Sequence, residues 1–170
     1  MTDIIKLKTK VDNIFGICCY HLFPLKPEYY IGKGRTIAIC TLSSLDLLKE
    51  IKNNQEIMDK ISIVGRLLSE NKGIDEIIKF TTNNTSLKYL LLCGEEVKGH
   101  LSGQTLIALQ KNGIDHDKKV INAIAPYPFL ACSYEEIEYF RHHINIIYKT
   151  GLKDIDRIKD IVFDIQVSFY

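Results

Sequence analysis

The stretch Lys88–Gly113, KYLLLCGEEVKGHLSGQTLIALQKNG, decides the fold of this chain. Its first part, Tyr89–Cys93, is a continuous apolar run of strand length, and Gly94–Gly103 is a polar loop with three glycines and one histidine. The following Gln104–Gln110 carries apolar residues at helical spacing, and Asn112-Gly113 supplies a helix stop. A buried strand, a glycine-bearing loop and a helix together form half of a β-α-β unit.

His100 lies in the loop of this unit, just beyond the carboxyl end of the predicted strand. In open α/β sheets, ligands bind at that edge of the sheet. Such loops are common and few of them hold a ligand histidine. The pattern alone therefore favours a solvated or capping histidine over a ligand.

Three further segments have the composition of buried strands, and they are Thr36–Leu42, Lys60–Val64 and Val120–Ala125. Helices are predicted after Ser43-Ser44, over Asn71–Thr82 and from a capping box at Ser133 to about Tyr148. Strands that alternate with helices predict an α/β, Rossmann-like, three-layer fold with a mainly parallel sheet and helices on both faces. The length of 170 residues predicts a single domain over residues 1–170.

The two ends of the chain give weaker signals. Asp3–Leu25 hints at a helix followed by a strand or buried segment, and Lys26–Arg35 is predicted to be a connector. Asp154–Asp160 favours a short turn or helix, and Ile161–Phe169 an edge strand or a docked tail. None of these segments supplies a candidate site residue.

The composition excludes several classes of partner. The chain has 22 basic and 21 acidic residues, so no field of one sign favours nucleic acid or an anionic membrane. No run of about 18 apolar residues predicts a membrane span, and the start Met1-Thr2-Asp3 lacks the features of a signal peptide. Five cysteines without a C-x-x-C pair are typical of free thiols in a reducing compartment, and we therefore expect a cytoplasmic protein.

Common catalytic motifs are missing from the sequence. No G-x-G-x-x-G follows a strand, which disfavours a dinucleotide site, and no Walker A lysine motif occurs. No G-x-S-x-G provides the nucleophile elbow of a hydrolase. A zinc site built from Cys93 and His100 would need two more ligands, and no suitably spaced residues supply them.

The segment Cys93–His100, followed by Ser102-Gly103-Gln104 and Ala108-Leu109, resembles the signature segment of one family, the A subunits of tetrahydromethanopterin S-methyltransferase. Members of that family carry the corrinoid in the methyl-transferring complex of methanogenic archaea. The resemblance covers roughly Gly65–Phe140 and, less clearly, Tyr29–Ser44. It rests on an ordered string of glycines, polar residues and a histidine rather than on shared composition.

This resemblance implies a corrinoid protein that carries a methyl group between methyl-tetrahydromethanopterin and coenzyme M, with catalysis that needs other subunits as methyl donor and methyl acceptor. It implies that the cofactor is cobalamin and that His100 is the catalytic residue and the lower axial ligand of its cobalt. The residues expected to bind the cofactor lie near the ends of the predicted strands, and they are Leu42, Ser43, Ser44, Gly65, Ser69, Glu70, Asn71, Gly94, Gly99, His100, Gly103, Gln104, Ala125 and Pro128. Gly99 and Gly103 are expected to let the flat macrocycle approach the backbone.

One departure from related proteins concerns the partner of the histidine. Many corrinoid proteins use Asp-x-His-x-x-Gly, and this chain has Lys98 in place of the aspartate. A carboxylate that raises the basicity of the imidazole is therefore missing from that position. Glu95 and Glu96 are candidates for the role, and a solvated loop acid is an equally good interpretation of each.

Other departures concern the pocket and the end of the chain. The family has glycines where Ser43, Asn122 and Ala125 stand, and Pro126 follows, so extra Cβ atoms are expected to narrow the corrinoid pocket. The family subunit usually ends in a membrane anchor, whereas this chain stops at Tyr170, so we expect a soluble homologue; association with a membrane complex through partner proteins stays open. A non-enzymatic binding or regulatory paralogue that has lost the corrinoid is the alternative function.

Overall fold

The computed structural model describes residues 28–167 of the chain. Within that range the strands are β1 (Tyr29–Ile31), β2 (Ile37–Cys40), β3 (Ile63–Gly65), β4 (Tyr89–Leu92) and β5 (Asn145–Tyr148). The helices of the same range are α1 (Leu45–Asn53), α2 (Gln55–Met58), α3 (Lys72–Asn83), α4 (Ser102–Asn112), α5 (Tyr134–His143) and α6 (Ile155–Val167). The hints of structure in Asp3–Leu25 lie outside the described residues.

The five strands form one sheet in the order β1-β3-β2-β4-β5. β2 lies in the middle and pairs in parallel with both neighbours, so that Cys40 stands opposite Gly65 on one side and Leu92 on the other. β5 adds a parallel strand beyond β4, and β1 forms the opposite edge as an antiparallel strand. The prediction of a mainly parallel sheet is confirmed.

Side chains of the central strand alternate between two cores, as the two-residue period of a strand requires. Ala38 and Cys40 pack with residues of α3, α4 and α5, whereas Ile37 and Ile39 pack with residues of α1, α2 and α6. All four side chains are buried, because helices cover both faces of this parallel sheet. The predicted three-layer architecture is confirmed. It brings the carboxyl ends of β2, β3 and β4 to one edge, which we call the carboxyl edge.

The prediction of a strand at Val120–Ala125 is wrong. Val120 makes a single bridge to Ile114, and the chain then turns through Asn122 at φ +63°. A residue in the left-handed region interrupts a regular ladder, and Pro126 has no N–H to donate to one. The segment is instead a loop whose apolar composition resembles that of a strand.

The helix predicted from Ser133 to about Tyr148 is right at its start and wrong at its end. Ser133 and Glu136 form the expected capping box, in which the Ser133 hydroxyl accepts from the Glu136 N–H and the Glu136 carboxylate accepts from the Ser133 N–H. The helix ends at His143, and β5 follows as the fourth parallel strand. Ile147 continues the helical spacing of the sequence, but pairing with β4 overrides that pattern.

Two predictions at the ends of the domain also change. The connector expected at Lys26–Arg35 contains β1, a three-residue edge strand. Of the turn or helix expected at Asp154–Asp160, the helix is confirmed; it begins at Ile155 and continues as far as Val167 through the segment expected to be an edge strand or a docked tail. Its buried residues recur at spacings of four and three, which is the period of an amphipathic helix, and they are Ile158, Val162 and Ile165.

Candidate functional site

A histidine and a buried glutamate meet at the carboxyl edge. The Nδ1 atom of His100 lies 2.7 Å from Oε2 of Glu70. The Glu70 side chain is 1% exposed, whereas the His100 side chain is 29% exposed. In a neutral imidazole bonded this way, Nδ1 carries the proton and donates to the carboxylate, so Nε2 keeps its lone pair. Nε2 makes no hydrogen bond to any residue within 28–167.

Glu70 belongs to the loop that leaves β3, thirty residues before His100. Its second oxygen, Oε1, accepts a hydrogen bond from the backbone N–H of Tyr127 at 3.1 Å. Both carboxylate oxygens are therefore satisfied, as burial of a charged group demands. The next residue, Asn71, donates from Nδ2 to the Tyr127 carbonyl at 3.2 Å and accepts from the Lys72 N–H at the start of α3.

The β4–α4 loop places His100 because Glu96 folds it back on itself. Oε1 of Glu96 accepts from the Gly103 N–H at 3.0 Å, and Oε2 accepts from the Gln104 N–H at 2.8 Å. A carboxylate thus caps the first turn of α4, where negative charge is favourable. Ser102 fastens the same turn to the loop after β3, since its hydroxyl donates to the Leu67 carbonyl at 2.9 Å.

The two glycines beside His100 have different surroundings. Gly99 has φ +84°, and a Cβ built on it would meet nothing within 4 Å. A Cβ on Gly103 would lie 2.9 Å from Cδ2 of buried Leu42 and 2.8 Å from Oε2 of Glu96. Gly103 therefore lets the first turn of α4 pack against the end of β2, and the space around Gly99, the residue before His100, is open.

The loops after β2 and β4 are tied to each other. The Ser43 hydroxyl donates to the Glu95 carbonyl at 2.8 Å, and the Ser44 hydroxyl accepts from the Glu95 N–H at 2.8 Å. A side chain at Gly94 would collide with the Thr41 carbonyl. These three expected binding residues thus hold two loops together. Gly65 lies within β3 and takes part in its pairing with β1, and the Ser69 hydroxyl accepts from the Gly73 N–H in the first turn of α3.

Gln104 fixes the loop that replaces the predicted fourth strand. Its Nε2 donates to the Asn122 carbonyl at 3.1 Å, and its Oε1 accepts from the Ile124 N–H at 3.0 Å. Asn122 adopts a left-handed backbone that favours glycine and that asparagine tolerates well. Ala125 and Pro128 are buried. Two of the substitutions expected to narrow the pocket are therefore Asn122, which is exposed in a turn that favours glycine, and Ala125, whose methyl group is buried.

The carboxylate partner of His100 is neither of the two acids that the sequence suggests. Glu95 instead pairs with Lys153 at 2.6 Å, and the hydrogen bond from Lys153 holds the pKa of the Glu95 carboxyl below its usual range. Glu96 caps α4. The partner is Glu70, which the sequence predicts only as a cofactor-binding residue. The available signal is that an acidic residue follows another strand whose carboxyl end reaches the same edge.

A cleft of about 430 Å³ lies elsewhere on the carboxyl edge, beside the first turn of α1. Ser44, Glu50 and Lys153 are among its lining residues, and neither His100 nor Glu70 is. We place the candidate site at the His100–Glu70 pair because its Nε2 lone pair is available, whereas the polar groups of Ser44 and Lys153 already have partners.

Two negative findings apply to residues 28–167 only. No three histidine, cysteine or acidic side chains in that range converge in a way that could hold a metal ion. No helix in the same range has both the length and the apolar character needed to cross a bilayer. A metal that arrives inside a macrocycle needs only an axial ligand from the protein, so the first finding leaves His100 as a candidate.

Fold and site together define an α/β protein that presents a histidine–carboxylate pair at the carboxyl edge of a parallel sheet. Residues 21–168 match the sequence model of the MtrA family, which is described as the A subunit of tetrahydromethanopterin S-methyltransferase. The chain belongs to this family of methyltransferase subunits, and the resemblance seen around His100 is confirmed.

Individual relatives agree with this assignment. The chain is 32% identical over 143 residues to the A subunit of the putative methyltransferase Mtx of Methanosarcina acetivorans, a match that covers 83% of this chain and 68% of the relative. It is 33% identical over 134 residues to the tetrahydromethanopterin S-methyltransferase A subunit of Methanosphaera stadtmanae, covering 77% and 51%. It is 37% identical over 100 residues to A subunit 1 of the same enzyme in Methanothermobacter thermautotrophicus, covering 58% and 42%. The chain thus spans about half or less of the length of the latter two relatives.

Proposed function

We propose that this chain is the corrinoid-binding subunit of a methyltransferase and that His100 is the axial ligand of the cobalt. The observation that carries the proposal is the His100–Glu70 pair. Glu70 is buried, bonds Nδ1 and leaves the Nε2 lone pair of a partly exposed imidazole available to a metal. Histidines that bind metals typically donate their other ring N–H to a carboxylate in this way.

The surroundings of the pair fit a large flat ligand. The side of His100 next to Gly99 is open, because nothing lies within 4 Å of the position of a Cβ there. At the three departures from the family, Ser43 is bonded to Glu95, Asn122 is exposed in a turn, and Ala125 is buried. The residues present therefore fit a corrinoid.

The protein's own contribution is to hold and orient the imidazole. When bound, the corrinoid supplies a cobalt centre that can accept and release a methyl group. Glu70 accepts the hydrogen bond from Nδ1 of His100, which fixes the tautomer in which Nε2 carries the lone pair. The Tyr127 N–H orients the carboxylate from the other side.

We infer the donor, the acceptor and the partners from the relatives. Several of these are named as the A subunit of tetrahydromethanopterin S-methyltransferase, which supports methyl-tetrahydromethanopterin as the methyl donor and other subunits of the complex as partners. Coenzyme M is the proposed acceptor. Those other subunits would supply the methyl donor and acceptor sites, since the relatives are named as one subunit of the enzyme.

The test is to mix the purified protein with hydroxocobalamin, desalt it and record the visible spectrum and the electron paramagnetic resonance of the Co(II) state. We expect a coloured complex whose cobalt signal is split by one nitrogen. His100→Gln, which can still donate to Glu70, should lose the splitting and retain the fold. His142→Ala is the matched control, because His142 also contacts a carboxylate, that of Glu138, but is exposed on α5.

Two results would contradict the proposal. A colourless wild-type protein would favour a binding or regulatory paralogue without a corrinoid. With the protein labelled with 15N-histidine, a wild-type splitting that keeps the three lines of a 14N ligand would show that the nitrogen belongs to the cofactor's own base and that His100 is not the axial ligand.

A further inference from the structure

Two isoleucines are exposed on a loop whose backbone is held firmly. Ile124 is 73% exposed and Ile121 is 39% exposed. The backbone at Ile124 donates to Gln104, and the carbonyl of Ile121 accepts from Asn112 Nδ2 at 3.2 Å. These bonds fix the exposed side chains in place, so their exposure is not the result of a poorly held loop.

The loop is tied to two residues near His100. Gln104, which binds the loop at residues 122 and 124, lies four residues after His100 at the start of α4. Glu70, which binds the ring of His100, also binds the loop at Tyr127. Residues 122–127 are therefore held at both ends by residues close to His100, and Ile124 belongs to that segment.

We propose that Ile124, with Ile121 beside it, forms an apolar contact for the rim of the corrin macrocycle. This inference rests on the proposed function. A corrin ring carries methyl groups along its rim, and sites for such ligands are lined mainly by apolar side chains. Covering a largely exposed isoleucine removes apolar surface from water, and loss of that contact should weaken binding about tenfold. Gln104 acts as a positioning residue, because it holds the backbone on which Ile124 stands.

The experiment compares three variants by titrating each with hydroxocobalamin and following the visible absorbance. Ile124→Ser should weaken binding about tenfold and keep the nitrogen splitting of the Co(II) signal, because His100 is untouched. Gln104→Ala should weaken binding about threefold through the freed loop, and the double variant should be no weaker than about tenfold, since both changes remove one contact. Val167→Ser is the matched control: Val167 is also 73% exposed but lies on α6, on the other face of the sheet.

The outcomes separate this inference from the proposed function. A wild-type protein that binds no hydroxocobalamin would overturn both. If the wild type binds and Ile124→Ser binds equally well, the inference fails while the proposed function stands. Thermal melting should match for Ile124→Ser and Val167→Ser, and Ile124→Thr serves as a milder variant if the serine variant melts early.

Discussion

Two loops at the carboxyl edge have opposite character. The loop after β2 is closed, because the hydroxyls of Ser43 and Ser44 are both bonded to the backbone of Glu95. In the loop after β3, by contrast, the hydrogen bonds lead to a side chain that keeps a polar atom available. Glu70 binds Tyr127 and His100, and His100 then keeps one ring nitrogen without a bond inside residues 28–167.

The difference shows why position at the end of a strand is a poor guide to a site. Both loops leave parallel strands at the same edge, and both contain polar residues of the right kind. A ligand-binding site needs a polar atom that the protein holds in place but that has no hydrogen bond within the protein, together with space for the ligand. Among the loops at this edge, the pair of His100 and Glu70 beside Gly99 meets both conditions.

Among the substitutions in the loops at the carboxyl edge, Glu70→Ala should have the largest effect on stability. It removes a buried acceptor from the Tyr127 N–H and from His100, and we expect the free energy of unfolding to fall by about 3 kcal/mol. Urea denaturation measures the loss. Glu76→Ala is the control, because Glu76 is an exposed residue of α3 whose ion pair with Lys79 contributes little. Equal stability of the two variants would mean that Glu70 does not organise the site.

Alanine substitutions at Gly103 and Gly99 compare a tightly packed glycine with one that has open space around it. Gly103→Ala forces a methyl group against Leu42 and Glu96, and we expect it to cost about 2 kcal/mol of stability. Gly99→Ala meets no neighbour and should cost about 1 kcal/mol, through its φ of +84° alone. Urea denaturation ranks the two. The opposite order would show that the space beside His100 is filled.

Ser43→Ala tests the bond that ties the loop after β2 to Glu95. It should lower the free energy of unfolding by about 1 kcal/mol, the net value of the hydrogen bond to the Glu95 carbonyl. Because that hydroxyl faces the neighbouring loop, hydroxocobalamin affinity should stay the same. Parallel measurements of unfolding and of affinity give both numbers. Tighter binding by the variant would show instead that the Ser43 side chain obstructs the ligand.

The fold can be predicted from sequence wherever one local pattern is unopposed. β2 and β4 are apolar runs bounded by polar loops, and both are predicted correctly. β5 is missed because its isoleucines also fit the helical spacing of α5, and only its pairing with β4 decides the matter. The strand predicted at Val120–Ala125 is wrong for the opposite reason. The local composition is that of a buried strand, and the sequence pattern does not indicate that Ile121 and Ile124 are exposed.

The candidate site divides in the same way. His100 can be singled out by its loop and by the family resemblance, because both are local in sequence. Its bond to Glu70 cannot, since it joins the loops after β4 and β3, two strands that are not neighbours in the sheet. The caps formed by Glu96 and the clamp formed by Gln104 likewise depend on loop conformations that composition does not specify.

The smallest expected effect concerns two cysteines at the start of the loops that Ser43 and Ser44 tie together: Cys40 ends β2 and Cys93 follows β4. Both thiols are buried; burial raises the pKa of Cys40 to about 12 and raises the pKa of Cys93 as well. The folded protein keeps them neutral, so iodoacetamide at pH 8 should leave both unmodified over hours while it labels them in urea, as peptide mass spectrometry can measure site by site.

The sign of the pH effect follows from the same shift. Unfolded thiols ionise near pH 9 and folded ones do not, so their contribution to stability is complete below pH 9 and declines as the pH rises toward 12. Fast labelling of either thiol at pH 8 would mean that the closed loop opens in solution and that the contrast between the two loops is one of degree.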